Sequence, residues 1–121
     1  MMRAGEVLLA AMLTISPMRV ANDPRLVVLE VTAYTLVECN QNNGITASGV
    51  RVQQGMCAAP RGVPFGTRVY VPRHGWLTVT DRGGAIRGRR LDVFRDSYSE
   101  ALQMGRRRVV VQVWPGLEWP E

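Results

Sequence analysis

The sequence predicts a small, mainly β protein folded as one closed barrel. Three observations carry this. Short runs of β-branched and aromatic residues recur along the chain, clusters of Gly, Pro and Asn separate them, and one segment alone carries helix start and stop signals. A chain of 121 residues is expected to form one domain, and it can bury a core without metal or a dense disulfide framework.

The elements follow in order. The run "LVVLEVTAY" at residues 26–34 reads as a strand. The segment "TLVECNQNNGITASG", residues 35–49, is polar and rich in Asn and Gly, and reads as a long loop. Short strand signals follow at 50–52 and 56–59, and "APRGVPFG" is a turn cluster. "TRVYVP" (67–72) and "WLTVTD" (76–81) are two strands joined by "RHG", and "RRLDVF" (89–94) is another. The expected helix covers 98–104. Ser97 and Glu100 form an S-x-x-E capping box, in which the hydroxyl takes an orphan N–H and the carboxylate reaches back to the cap. Gly105 supplies the left-handed residue that ends it. "RRVVVQVW" (107–114) closes the barrel, and residues 115–121, with Pro115 and Pro120, read as a tail. Trp76, Trp114 and Phe65 are expected to pack in the core or at the rim, with sugar stacking the alternative for Trp76.

Residues 1–21 read as a secretory leader. Arg3 supplies positive charge, and residues 7–15 are an apolar run suited to a signal peptide and too short to span a bilayer. Glu6 and the lack of an A-x-A cleavage site fit less well, and a packed N-terminal helix is the alternative. Export from the cell is therefore expected. Cys39 and Cys57 would then close a loop of about 18 residues, adding about 3 kcal/mol if bonded. In a reducing compartment they would be two buried thiols. With only His74 beside them they lack zinc-site spacing, so no metal and no cofactor is expected.

The net charge is +5, and all 15 basic residues are arginines. Such an excess suits an anionic partner, whether nucleic acid, acidic lipid or acidic wall polymer. Arg82, Arg87, Arg89 and Arg90 crowd one loop, and residues 106–108 are all arginine. Nucleic acid is disfavoured, because no DNA-binding motif is present and aromatic residues do not interleave with the arginines. The glycine-rich loop lacks the G-x-x-x-x-G-K phosphate-binding spacing, and His74 is the sole base available to a nucleophilic triad. A monomer is expected.

The stretch "TDRGGAIRGRRLDVF", residues 80–94, brackets a Gly- and Arg-rich turn with Asp81 and Asp92. It can be a plain hairpin, an anion-binding loop or the floor of a carboxylate site. Alternation in "RRLDVF" places Leu91 and Val93 on one face and Asp92 on the other. Asp81 could instead simply bond turn amides.

In order, "TAY" (32–34), "GITASG" (44–49), "VPFGTRVYVP" (63–72), "DRGGAIRGRRLDVF" (81–94) and "EALQMGRRRVVVQVW" (100–114) resemble the 3D domain family, named for three aspartates. That family is related to the barrel of MltA-type lytic transglycosylases and to Gram-positive stationary-phase survival proteins. The resemblance covers about residues 28–114 and implies a six-stranded double-psi β-barrel acting on peptidoglycan. Asp81 and Asp92 match the second and third aspartates. The first is absent, because Ala58 and Ala59 precede Pro60 where the family has an aspartate before a proline. No other acid is an obvious substitute, although Glu38, in the long loop, could swing in.

The chemistry so implied is lytic transglycosylation. Asp92 would protonate the leaving glycosidic oxygen between N-acetylmuramic acid and N-acetylglucosamine. As a carboxylate it would then take the C6 hydroxyl proton while that oxygen closes a 1,6-anhydro ring. Acting as an acid near neutral pH requires apolar surroundings or a neighbouring carboxylate, and Asp81 is the expected neighbour. Gly83, Gly84 and Gly88 would allow close approach of a sugar and positive φ. Tyr34, Thr46 and Ser48 are candidate sugar-binding residues, with turn hydrogen bonding the alternative. The rival function is a barrel that binds wall polysaccharide without cleaving it, which the absent aspartate favours.

Overall fold

The computed structural model describes residues 23–39 and 43–121, and the expected leader at 1–21 lies outside them. Six strands form a closed barrel: β1 (Arg25–Tyr34), β2 (Met56–Ala58), β3 (Arg68–Val71), β4 (Gly75–Asp81), β5 (Arg90–Phe94) and β6 (Arg107–Trp114). Their order around the barrel is β1-β5-β2-β4-β3-β6. This is the six-stranded double-psi barrel expected. Residues 50–52 do not form a strand, and only an isolated bridge joins Ile45 to Arg51. The expected loop at 35–49 begins with a one-turn helix, α1 (Leu36–Cys39).

Closure depends on the length of β1. Its first part, from Arg25 to Val31, pairs antiparallel with β6, and its last part, from Glu30 to Tyr34, pairs parallel with β5. One strand thus bridges two neighbours that otherwise would each leave an open edge. Glu30 stands at the handover and pairs with Arg90 at 3.2 Å and Arg106 at 3.6 Å.

Alternation fills the interior. Leu29, Val31, Val69, Val71, Leu77, Val79, Leu91, Val93, Val111 and Val113 all point inward and are buried. Their β-branched shapes suit a pleated surface whose inner face is fully enclosed. The aromatic residue of this core is Trp119, from the segment expected to be a tail. It is buried, and its indole Nε1 donates to the Gly88 carbonyl at 2.8 Å. Trp76, Trp114 and Phe65 are exposed instead, because each lies on the outer surface of the barrel or its loops. Trp76 packs edge-on against Tyr70, with Arg68 over its ring.

Helix α2 (Tyr98–Met104) matches its expected bounds. Ser97 Oγ accepts the Glu100 N–H at 3.3 Å, and Gly105 has a φ of 58°. The reciprocal half of the capping box is not made, because the Glu100 carboxylate pairs with Arg95. Charge attraction to a guanidinium outcompetes a return bond to the cap amide.

Cys57 is a free thiol at the centre of the core, so the considered bond to Cys39 is not present. The inward face of β2 fixes it against Val93. The Cys39 side chain lies outside the described residues. Burial pushes the Cys57 ionisation up, and the Asp92 charge pushes it further in the same direction. The folded state therefore keeps this thiol neutral at pH values where the unfolded chain, with a thiol pKa of about 8.5, releases its proton. That contribution is complete below about pH 8.5 and is lost as pH rises further. The unfolding free energy of the wild-type chain should fall above about pH 9 by up to about 1.4 kcal/mol per unit. Urea unfolding between pH 8 and 10 should show a shallower fall in Cys57→Ala. Equal slopes would contradict the burial argument.

Candidate functional site

The two aspartates reach one face by different routes. In β5, Leu91 and Val93 point inward, so plain alternation turns Asp92 outward. In β4, Leu77 and Val79 point inward, so the same alternation would send Asp81 into the core. It does not, because the register of β2 against β4 shifts between Cys57 and Ala58. Cys57 faces Val79, whereas Ala58 faces Asp81, so Thr80 is the extra residue of a bulge. The bulge rotates Asp81 to the outside.

The pairings then align four residues across four strands. Asp81 of β4 is the partner of Ala58 of β2, Ala58 is the partner of Asp92 of β5, and Asp92 is the partner of Thr32 of β1. Two strand spacings separate the aspartates, which places their Cα atoms about 10 Å apart. Beside this row lies a second apolar cluster, Tyr34, Val52, Ala58, Ile86 and Phe94, on the outside of the barrel wall. Tyr34 and Phe94 meet edge to face with centroids 5.5 Å apart.

Both carboxylates are held by neighbours. Asp81 Oδ2 accepts the Tyr34 hydroxyl at 3.1 Å, and Oδ1 accepts the backbone N–H groups of Ala47 and Arg82, each at 2.9 Å. It clamps β1, the 46–48 loop and its own following turn together. Asp92 Oδ1 accepts the Thr32 hydroxyl at 2.9 Å. Thr32 was legible only as part of the "TAY" match. What gives it a role is the parallel register of β1 on β5, which the sequence does not display.

The other candidates separate on geometry. Tyr34 is buried and bonds to Asp81, so it positions that carboxylate. Thr46 is buried, and its hydroxyl donates to the Val50 carbonyl at 2.9 Å. With that hydrogen committed, the 3.1 Å contact between the two hydroxyls has Ser48 as donor to Thr46. The Ser48 N–H bonds the Thr80 carbonyl at 3.0 Å, which seats the loop on the bulge. In the glycine-rich turn, Gly88 alone among 83, 84 and 88 has positive φ, at 63°. Gly83 is crowded instead: a Cβ there would lie 3.1 Å from Ile86 Cγ1, which would have to shift to admit it. Gly84 faces open space. Of the first family aspartate's surroundings, Ala59 is fully buried in the core, and Ala58 lies between Asp81 and Asp92.

His74 stands elsewhere, in a depression of about 470 Å³ at the α2 end of the barrel with Arg95, Met104 and Arg107. Burial lowers its pKa, and the charges of Arg95 and Arg107 lower it further. Among the described residues no group of three or more His, Cys, Asp or Glu is placed to hold a metal ion, and no helix is long and apolar enough to cross a membrane.

If Asp81 is the clamp, Asp81→Ala should lower stability by about 2 kcal/mol in urea unfolding, since three acceptor bonds are lost at a partly exposed site. Amide exchange at Ala47 should accelerate in the same variant. Unchanged exchange there would show that the loop is held by other contacts.

Comparison with known proteins places this geometry in a family. The family model for the 3D domain matches residues 55–115, half of the chain. The cell wall-binding protein YocH of Bacillus subtilis (strain 168) is 37% identical over 87 residues, covering 68% of this chain and 30% of YocH. YabE of the same organism, named for cell wall shaping, is 30% identical over 94 residues, covering 74% of this chain and 23% of YabE. The chain thus spans less than a third of either relative's length. Among solved structures, the E. coli lytic transglycosylase MltA aligns over 57% of this chain and 26% of its own, with a TM-score of 0.47 and 22% identity. With the match over half its length, including the segment that carries both aspartates, the chain belongs to the 3D domain family.

Proposed function

We propose that the outer face of β4, β2, β5 and β1 binds peptidoglycan glycan strands, and that Asp92 cleaves them by lytic transglycosylation. The observation that carries this reading is the row that sets Asp81 and Asp92 on one outer face, with Thr32 orienting the Asp92 carboxylate. Asp81 spends its oxygens on Tyr34 and two backbone amides, so its work is to hold the loop and present negative charge. Asp92 is oriented through Oδ1 by Thr32 and is flanked by Ala58 and Phe94. A single oriented carboxyl group suits a reaction in which one residue serves as acid and then as base.

The steps balance without water. Protonated Asp92 gives its proton to the glycosidic oxygen as the bond from the muramic acid anomeric carbon breaks. Negative charge from Asp81 favours the oxocarbenium character that develops. The Asp92 carboxylate then removes the proton of the C6 hydroxyl, whose oxygen attacks the anomeric carbon. The products are a 1,6-anhydro end and a free N-acetylglucosamine end, and Asp92 is again protonated.

A second reading is binding without cleavage. Two observations favour it: YocH is named a cell wall-binding protein, and alanine stands at 58 and 59 where the family pattern carries its first aspartate. Both readings place the protein at the cell wall.

Incubation with purified peptidoglycan separates them. Mass spectrometry of the soluble fraction should reveal anhydro-muropeptides, and Asp92→Asn should lower their release by about a hundredfold to ten-thousandfold, as expected for loss of a general acid. Products with a reducing muramic acid would mean hydrolysis. Sedimentation of intact protein with the wall and no products would mean binding alone.

A further inference from the structure

A depression of about 570 Å³ opens next to the aspartate row. Arg61, Arg82 and Arg87 line it, and Gly83 and Gly84 form part of its wall. The Arg82 guanidinium is fixed in place. It donates to the carbonyls of Asp81 and Val63, and it lies over the Phe65 ring at 4.1 Å. Arg87 Nε donates to the Gly84 carbonyl at 3.0 Å, which leaves its terminal nitrogens to face outward.

Among the described residues, none of these three arginines forms an ion pair. Arg89, Arg90, Arg95 and Arg106 each pair with a glutamate. The acid on the rim, Glu121, is engaged by Arg89 at 3.1 Å. The Arg82 pKa is lowered by burial and then by the nearby Arg61 charge, against the opposing effect of Asp81. Three guanidinium groups thus share the depression with one acidic residue, Glu121, whose carboxylate is already paired with Arg89.

Its place gives the ligand. Arg82 directly follows Asp81, and its backbone N–H bonds the Asp81 carboxylate. A strand lying along the Asp92–Asp81 row continues toward Arg82, Gly83 and Gly84. Gly84 has no side chain and open space before it, so a bulky substituent can enter. The anionic groups on such a strand are the carboxylates of the peptide stems borne by muramic acid. Planar guanidinium groups match carboxylates with paired hydrogen bonds.

We propose that the Arg61–Arg82–Arg87 depression binds a carboxylate of the peptide stem carried by the glycan strand. This rests on the glycan-binding reading above and names what that site reads beyond the sugar backbone.

Calorimetric titration of the full chain tests it with soluble glycan strands bearing free stem carboxylates, and with the same strands after carbodiimide amidation with ammonia. Amidation removes the charge and keeps the size. Free-carboxylate strands should bind about tenfold tighter at low salt, a modest figure because the arginines are partly exposed. The preference should shrink in high salt. It should collapse toward equality in the double variant Arg61→Ala/Arg87→Ala, and persist in Arg25→Ala. Arg82 is kept because its guanidinium also ties two backbone carbonyls. Equal wild-type affinity for both strand forms would overturn the proposal and leave glycan binding intact. Full displacement by inorganic polyphosphate at concentrations that leave sugar contacts unaffected would reassign the depression to a phosphate polymer, and would also overturn it. No binding of either strand form would overturn both this proposal and the reading on which it rests.

Discussion

A closed barrel gives every strand one inward and one outward face, and the candidate site exists because one strand breaks that rule once. The bulge at Thr80 turns Asp81 out of the core and into line with Ala58, Asp92 and Thr32. Without the extra residue, a carboxylate would point at Leu77 and Val79's face, where burial of an unpaired charge costs far more than a folded domain can offset. The same residue's carbonyl seats Ser48, and Asp81 then bonds Ala47. A single register shift thus sets the aspartate, the loop that surrounds it and the start of the arginine-rich turn.

The rest of the molecule holds that face still. β1 closes the barrel by pairing with β6 over its first part and with β5 over its last, and its outward residues Thr32 and Tyr34 each bond one aspartate. Closing the barrel and orienting the carboxylates are therefore the same act of strand pairing. The segment after β6 returns to bury Trp119 beneath the glycine-rich turn, with a hydrogen bond to Gly88. That contact braces the turn from below while its arginines face outward.

Much of this was legible in the residues. The strands, α2 with its Ser97 cap, and the outward facing of Asp92 followed from periodicity and capping chemistry. The placing of Asp81 on the same face, one strand beyond Ala58, came from the family resemblance, because alternation in "WLTVTD" points the wrong way and a bulge has no composition of its own. The "TAY" match includes Thr32 but not its role, which depends on register between strands 60 positions apart. Trp119 escaped notice because a proline-flanked terminal segment carries no periodicity. Only half of the capping box forms, since Arg95, two residues before Ser97 and outside the S-x-x-E pattern, captures Glu100. Tyr34 and Thr46 suit sugar contacts by residue type, yet their hydroxyls are engaged within the protein.

On the proposed reading, wall glycan lies across the outer face of β4, β2, β5 and β1. The most direct measurement is an NMR titration of the labelled chain with a soluble disaccharide-peptide fragment of peptidoglycan, followed at every backbone amide. Shifts concentrated at residues 46–48, 58, 81–84 and 92 are the predicted result. Shifts centred instead on Tyr70, Trp76 and Trp114, across the barrel from Asp92, would contradict the account and assign glycan binding to the exposed aromatic wall.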